Sequence, residues 1–248
     1  MKKEKHNKYT ESRISNYKMY IKTYGLLYVM RYGMHKSFPG LMHWIFTKFV
    51  KRSTFEFDDN TLEVFFNKYR TTWANERMIE IPIFHYLIEK YRDKRILEVG
   101  NVLPHYFDVN HDVLDKYEKG ENIINEDIAQ YKPEINYDII VSISTFEHIG
   151  YDEDQLRPEK IFEVIEHLKN MLTTDGKIIF SIPIAYNPYL DEFIFNNRID
   201  LTDAQYYTRN RKFNKWERTD RQAAATADYG NPYYCASTLL IGTIEKND

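Results

Sequence analysis

Several short apolar runs each end on polar residues of the kinds that bind ligands and move protons. Arg95-Ile96-Leu97-Glu98-Val99-Gly100 closes on an acid and a glycine, and Asp112-Val113-Leu114 runs into Asp115. Ile123-Ile124 runs into Asn125 with Asp127 close behind, and Asp138-Ile139-Ile140-Val141 runs into Ser142, followed by Glu147 and His148. An open α/β sheet binds ligands outside the carboxyl ends of its strands, near the point where strand order reverses. An acid ending the second strand is suited to accept hydrogen bonds from both hydroxyls of a ribose, and a polar pair after the third can read an adenine edge. His148, just past the fourth run, is the candidate general base. Glu147 has two readings. It is a catalytic carboxylate, or it closes a helix N-terminus through the S-x-x-E spacing of Ser144-Thr145-Phe146-Glu147. His105 and Tyr106 are loop packing or substrate contacts, and His167 is a packing residue. Asp152-Glu153-Asp154 reads as a solvated acidic loop, and no metal site is expected. Ser142 and Ser144 lack the G-x-S-x-G elbow of a hydrolase nucleophile.

The elements that must position these residues follow from periodicity. The four runs predict strands, and Pro158 to Leu172 predicts an amphipathic helix with Ile161, Ile165, Leu168 and Leu172 in register. Asp175-Gly176 reads as a turn into a strand over 177–183. Lys215-Trp216-Glu217 and Thr238 to Ile244 predict two more strands, forming an antiparallel edge. Upstream, Asn75 caps a turn, and Pro82 suits the first turn of a helix running to about Tyr91. Thr54 to Asp58 alternates like a strand. Between Ile14 and Val50, Ile21, Tyr24, Tyr28 and Arg31 to Met34 suggest a helical face, broken near Ser37-Phe38-Pro39-Gly40. A second short helix holds Met42, Trp44, Ile45 and Phe49. Strands alternating with helices predict a parallel sheet covered on both faces.

Composition narrows the classes. With 248 residues, 43% apolar and 29% charged, the chain can bury a substantial core. Its net charge of −3 gives no global basic excess for nucleic acid. One cysteine, Cys235, excludes an internal disulfide and a cysteine-based metal cluster. The start has no apolar signal-peptide core, so the expected location is cytoplasmic. Charge is unevenly divided: residues 1–52 carry twelve Lys/Arg against two Asp/Glu, or +10. A basic, aromatic-rich helical extension over 1–74 and a second domain over 75–248 are therefore expected, with peripheral membrane contact through the extension as one use of that charge.

Ile-Leu-Glu-Val-Gly (96–100), Asp115, Asn-Glu-Asp (125–127), Tyr-Asp-Ile-Ile-Val-Ser-Ile-Ser-Thr-Phe-Glu-His-Ile-Gly (137–150) and Leu-Thr-Thr-Asp-Gly-Lys-Ile-Ile-Phe-Ser-Ile-Pro (172–183) together resemble the ordered motifs of class I S-adenosylmethionine-dependent methyltransferases. Thr72-Trp73-Ala74-Asn75-Glu76-Arg77, followed by Glu80-Ile81-Pro82, further resembles methyltransferase-like proteins of surface-polysaccharide and glycan biosynthesis. The resemblance implies a Rossmann-like, seven-stranded, mostly parallel α/β sheet whose last strand is antiparallel. It implies S-adenosyl-L-methionine as cofactor, with Glu98 and Gly100 under its methionine part, Asp115 on its ribose, and Asp127 with Asn125 or Glu126 beside its adenine. Asn101 and Ser142 join that set, and Glu147 and His148 serve catalysis on a sugar, lipid-linked glycan or other small-molecule hydroxyl. One departure is plain: Gly100 is followed by Asn101-Val102-Leu103-Pro104, not by further glycines, and the first crossover is so short that its helix must be a stub. A dinucleotide needs several glycines to seat its pyrophosphate, which weighs against an NAD(P)-dependent oxidoreductase or epimerase. A non-catalytic cofactor- or partner-binding domain of the same fold is the other alternative.

Overall fold

The computed structural model describes residues 53–210, 215–230 and 235–246, with scattered positions between 21 and 48. Ile21, Leu26 and Met30, then Gly40, Leu41, Trp44, Ile45 and Lys48, are helical. Tyr24, Tyr28, Arg31 to Met34, Met42 and Phe49, on which the rest of the expected N-terminal helices depends, lie outside the described residues.

The described chain begins with a hairpin of β1 (Thr54–Phe57) and β2 (Asn60–Glu63), turned by Asp58 at a φ of 49°. A 3-10 turn over Tyr69–Ala74 leads into α1 (Arg77–Lys90). There follow β3 (Ile96–Val99), β4 (Asp112–Leu114), β5 (Ile123–Ile124) and β6 (Tyr137–Ile143). Helix α2 (Lys160–Asn170), β7 (Leu172–Pro183) and α3 (Pro188–Phe195) come next. The chain closes with β8 (Asp203–Asn210), β9 (Lys215–Thr219), the single turn α4 (Arg221–Ala224) and β10 (Thr238–Glu245).

The main sheet runs β5-β4-β3-β6-β7-β10-β8-β9. The first five strands are parallel, and β10 is antiparallel to both β7 and β8. This is a Rossmann-like α/β sheet, with strand order reversing between β3 and β6. It carries eight strands, one more than the expected seven, because β9 adds to the free edge of β8. The antiparallel edge forms from β10, β8 and β9, with β10 inserted between β7 and β8 and β9 terminal. Asp175-Gly176 falls at an irregularity within β7, where the pairing with β6 jumps from Tyr137↔Leu172 to Ile139↔Lys177 and brings Gly176 back against Leu172.

Period-two alternation in β3, β6, β7 and β10 explains the layers. Leu97, Ile140, Ile178, Phe180 and Leu240 face the cluster beneath α2 and α3. Ile96, Ile139, Val141, Ile179 and Ile241 face the cluster beneath α1 and the hairpin. Both faces are buried, as a parallel sheet requires. Phe55, Phe57 and Val64, from the region expected to be a helical extension, pack in the same cluster as Met78, Phe84 and Leu87 of α1.

Pro82 does not begin α1; it lies inside it. A proline there has no N–H for the carbonyl four residues back, Met78. The Met78 carbonyl instead accepts from Phe65 N at 2.9 Å, so the bond the helix forgoes ties the hairpin exit to it.

Candidate active site

A cleft of about 550 Å³ opens at the carboxyl ends of β3, β4, β5 and β6, at the reversal of strand order. Of the residues singled out from sequence, Gly100, Asn101, Asp115, Asp127 and His148 line it; Glu126 does as well. Glu98, Asn125, Ser142 and Glu147 do not.

Gly100 is required by geometry. Its φ is +91°, and a Cβ there would lie 2.4 Å from Thr145 Oγ1. The loop after β3 therefore passes close against Thr145 in the loop after β6. Only a short 3-10 turn, Leu103–His105, follows, which is the stub the spacing demanded.

Asp115 is held by backbone. Its Oδ1 accepts from Tyr117 N at 2.8 Å and Glu118 N at 2.7 Å, and its Oδ2 accepts from Asn101 N at 3.0 Å. Asp127 accepts from Ala129 N and pairs with Lys116 at 2.8 Å. Partial burial works to raise its pKa, but the Lys116 ammonium and the Ala129 amide outweigh it and hold Asp127 below its usual value. Six carboxylates and four lysine or arginine side chains line the cleft, so its walls carry a negative excess.

Four of the expected residues lie off the cleft lining. Glu98 is fully buried on the α1 face of the sheet, where one oxygen accepts from Val102 N and Leu103 N, both at 2.8 Å, and the other meets His111 Nε2 at 2.8 Å. It shapes the loop from beneath. Asn125 donates through Nδ2 to the carbonyls of Asp115, Lys116 and Glu118, clamping the loop that carries Asp115. Ser142 is buried within β6, one residue short of the strand's end. Glu147 is 2% exposed, behind the cleft wall, and burial holds its carboxyl well above the ordinary carboxylate range. The capping box does not form either, because Ser144 Oγ donates to Glu80 Oε1 at 2.6 Å.

That contact belongs to a network with no sequence signal. Glu80 on α1 is fully buried. Its Oε1 accepts from Ser144 and Ser181, both at 2.6 Å, and its Oε2 meets Arg77 at 2.9 Å. Burial opposes the Arg77 charge, yet Glu80 and Glu76 more than offset this and raise its pKa.

Arg77 and Arg70 reach the cleft from the N-terminal side and also line an adjoining cavity of about 310 Å³ with Tyr69, Glu76, Tyr106 and His148. Arg70 and Thr71 have φ values of 55° and 46°, a conformation side chains rarely adopt. Asn75 Nδ2 fixes it by donating to the Arg70 carbonyl at 2.9 Å, while its Oδ1 accepts from Arg77 N. The Tyr69 ring stacks on His105 with centroids 4.8 Å apart. His105 and Tyr106 thus border this cavity, whereas His167 only binds the Tyr131 carbonyl.

His148 stands where the two cavities meet. Asp152, read from sequence as part of a solvated loop, lies 2.5 Å from His148 Nδ1 and accepts from the Tyr186 hydroxyl at 2.6 Å. Among the described residues no group of three or more metal-ligating side chains converges, and no helix is long and apolar enough to cross a membrane. Cys235 is buried, donates to the Ala74 carbonyl at 3.1 Å, and has its thiol pKa pushed up to about 12, mainly by burial.

No protein-family model matches the sequence, and no curated protein matches it at a significant level. Among solved structures, the chain is similar to the N-methyltransferase NodS from Bradyrhizobium japonicum WM9 bound to S-adenosylhomocysteine, with 12% identity, a TM-score of 0.40, and coverage of 72% of this chain and 96% of that one. It is also similar to a 1,6-didemethyltoxoflavin-N1-methyltransferase from Burkholderia thailandensis, at 12% identity and a TM-score of 0.42 over 79% of this chain and 100% of that one. A third is an S-adenosylmethionine-dependent methyltransferase from Clostridium acetobutylicum ATCC 824, at 11% identity and 0.35 over 83% and 98%.

Proposed function

We propose that the protein is an S-adenosylmethionine-dependent methyltransferase acting on a hydroxyl of a sugar, glycan or other small molecule. The observation that carries this reading is the cleft at the strand-order reversal, floored by the close approach of Gly100 to Thr145 and walled by Asp115. The residues present suit that cofactor. Gly100 leaves room where a Cβ would intrude, Asp115 offers a preorganised acceptor for ribose hydroxyls, and Asp127 and Ile128 border the place of the adenine. The negative excess of the walls suits a sulfonium cation and disfavours the pyrophosphate of a dinucleotide. When bound, the cofactor supplies an electrophilic methyl group with a neutral thioether as leaving group. The chain's part is to align an acceptor from the smaller cavity, which can contribute several kcal/mol, on the order of 7–11 at best. His148 takes the acceptor's proton, a role on the order of 10²–10⁴-fold in rate.

A sugar ring is favoured by Tyr69, whose partly exposed ring borders the smaller cavity beside Arg70, Asn75 and Glu76. Peripheral contact with an anionic membrane bearing a lipid-linked acceptor is favoured by the +10 charge of residues 1–52 and the exposed Leu26, Met30, Leu41 and Trp44. Native mass spectrometry of the purified protein tests the cofactor assignment. Co-purified adenosylmethionine or adenosylhomocysteine supports it, and loss of the domain reading follows if neither is retained even after incubation with excess ligand.

A further inference from the structure

We propose that Asp152 and Tyr186 are positioning residues that lock His148 in a single tautomer, with the proton on Nδ1 and the Nε2 lone pair left free to accept a proton. The inference rests on His148 being the base of the reading above, and it adds the groups that fit it for that task.

The turn after β6 is built to bring these side chains together. Gly150 has a φ of +69°, and a Cβ there would lie 2.0 Å from the Arg157 carbonyl, so the chain doubles back tightly. Arg157 N donates to the Gly150 carbonyl at 2.7 Å, and Asp152 N donates to the His148 carbonyl at 3.1 Å. These two bonds place Asp152 four residues beyond His148 and within reach of its ring. From the other side, buried Asn187 donates to the Glu147 carbonyl at 2.9 Å while its Oδ1 caps α3 through Tyr189 N and Leu190 N. That contact joins the His148 turn to the segment carrying Tyr186. The Tyr186 ring meets the imidazole edge-on, with centroids 5.0 Å apart and planes at 75°.

Polarity then determines the tautomer. One Asp152 oxygen faces both Nδ1 and the Tyr186 hydroxyl. Burial and Asp152 itself raise the Tyr186 pKa, so the phenol keeps its proton and donates. A carboxylate oxygen that accepts from a phenol must be met by N–H on the imidazole side as well, which puts the ring proton on Nδ1. Nε2 faces Glu147 Oε1 at 3.7 Å, beyond hydrogen-bond reach. Burial also raises the Glu147 pKa, which weakens any pull of that carboxyl on a proton at Nε2. The remaining titratable groups of the adjoining cavity are Tyr69, Arg70, Glu76, Arg77, His105, Tyr106 and Glu118, and Asp152 is the carboxylate in hydrogen-bond contact with the His148 ring.

The test is a long-range ¹H–¹⁵N correlation spectrum of the full-length labelled protein, with His148 assigned by the signal that disappears in His148→Gln. The expected result is a neutral His148 with a protonated Nδ1 and an unprotonated Nε2. Asp152→Asn is expected to abolish that preference, leaving both neutral tautomers populated. Tyr186→Phe is expected to leave the tautomer in place, because Asp152 still accepts from Nδ1. A wild-type His148 protonated on Nε2 when neutral overturns the proposal without any variant, and so does an Asp152→Asn protein with an unchanged tautomer. Adenosylhomocysteine added to the same sample separates the two readings. If the tautomer is as expected and no ligand binds, the dyad stands and the cofactor assignment falls; if ligand binds and the tautomer is wrong, the reverse holds.

Discussion

At the ends of β3 and β4 the key carboxylate, Asp115, faces the cleft and is gripped by three backbone amides. At the end of β6 the carboxylates Glu80 and Glu147 are turned away from the cleft and buried, one saturated by Arg77 and two serines and the other with its pKa raised by burial. The first half offers charge to a ligand; the second uses charge to hold α1, β6 and β7 in place, and presents His148, Arg70 and Tyr69 instead. A binding half gains from fixed acceptors, while a half that must handle a proton gains from rigidity around one titratable ring. Substitutions in the two halves should therefore fail differently.

Glu80→Ala should have the largest effect on stability. It leaves the half-buried Arg77 without its 2.9 Å partner and orphans two serine hydroxyls. Breaking a buried pair of this kind costs about 3–5 kcal/mol, so a denaturant titration should show a large fall in midpoint. A loss under about 1 kcal/mol would mean that the network is ornamental. Gly100→Ala comes next, through strain at a positive φ and contact with Thr145, with an expected loss on the order of 1–3 kcal/mol. It should also remove most cofactor affinity, and a companion Thr145→Ala should restore part of it by withdrawing the oxygen at 2.4 Å. Unchanged affinity in Gly100→Ala would dissolve the distinction between the halves.

Strands β3 to β6 and helix α2 were legible because their apolar runs are short, branched and cleanly punctuated. Strand β8 was not: Asp203-Ala204-Gln205-Tyr206-Tyr207-Thr208-Arg209-Asn210 reads as polar, and it is a strand because β10 and β9 pair with it on both sides. The start of α1 was hidden by Pro82, whose lost bond is replaced by Phe65 from a distant segment. In the site, parity explains the errors. Gly100, Asn101 and Asp115 lie just past strand ends and open into the cleft, whereas Glu98 and Ser142 lie inside strands, whose side chains point into the layers. Asp152 was missed because a run of three acids looks solvated until the turn at Gly150 folds it back onto His148. Arg70 and Thr71 are left-handed without a glycine, so local sequence carried no trace of that turn.

A smaller effect should appear in the pH dependence of stability. Asp191 accepts from Ala185 N at 2.7 Å and holds that residue at a φ of 68°, just before Tyr186. Burial raises the Asp191 pKa to about 6 from 3.8, against the pull of the Ala185 amide. The folded state thus binds more protons than the unfolded one between those values, and the contribution of Asp191 to stability falls as pH rises through that window. The size is on the order of 2 kcal/mol, and Asp191→Asn should flatten the slope of midpoint against pH between about 4 and 6. An unaltered slope would place the buried acid chemistry of this half elsewhere.

The central claim, that the cleft at the β3–β6 reversal is a sulfonium-nucleoside site anchored by Asp115, is tested most directly by calorimetry with adenosylhomocysteine on the wild type and on Asp115→Ala. The account predicts one site in the wild type and an affinity lower by roughly tenfold to a hundredfold in the variant, the equivalent of about 1.5–3 kcal/mol for hydrogen bonds to a charged acceptor. Equal affinities in the two proteins, or no binding to the folded wild type, would contradict it.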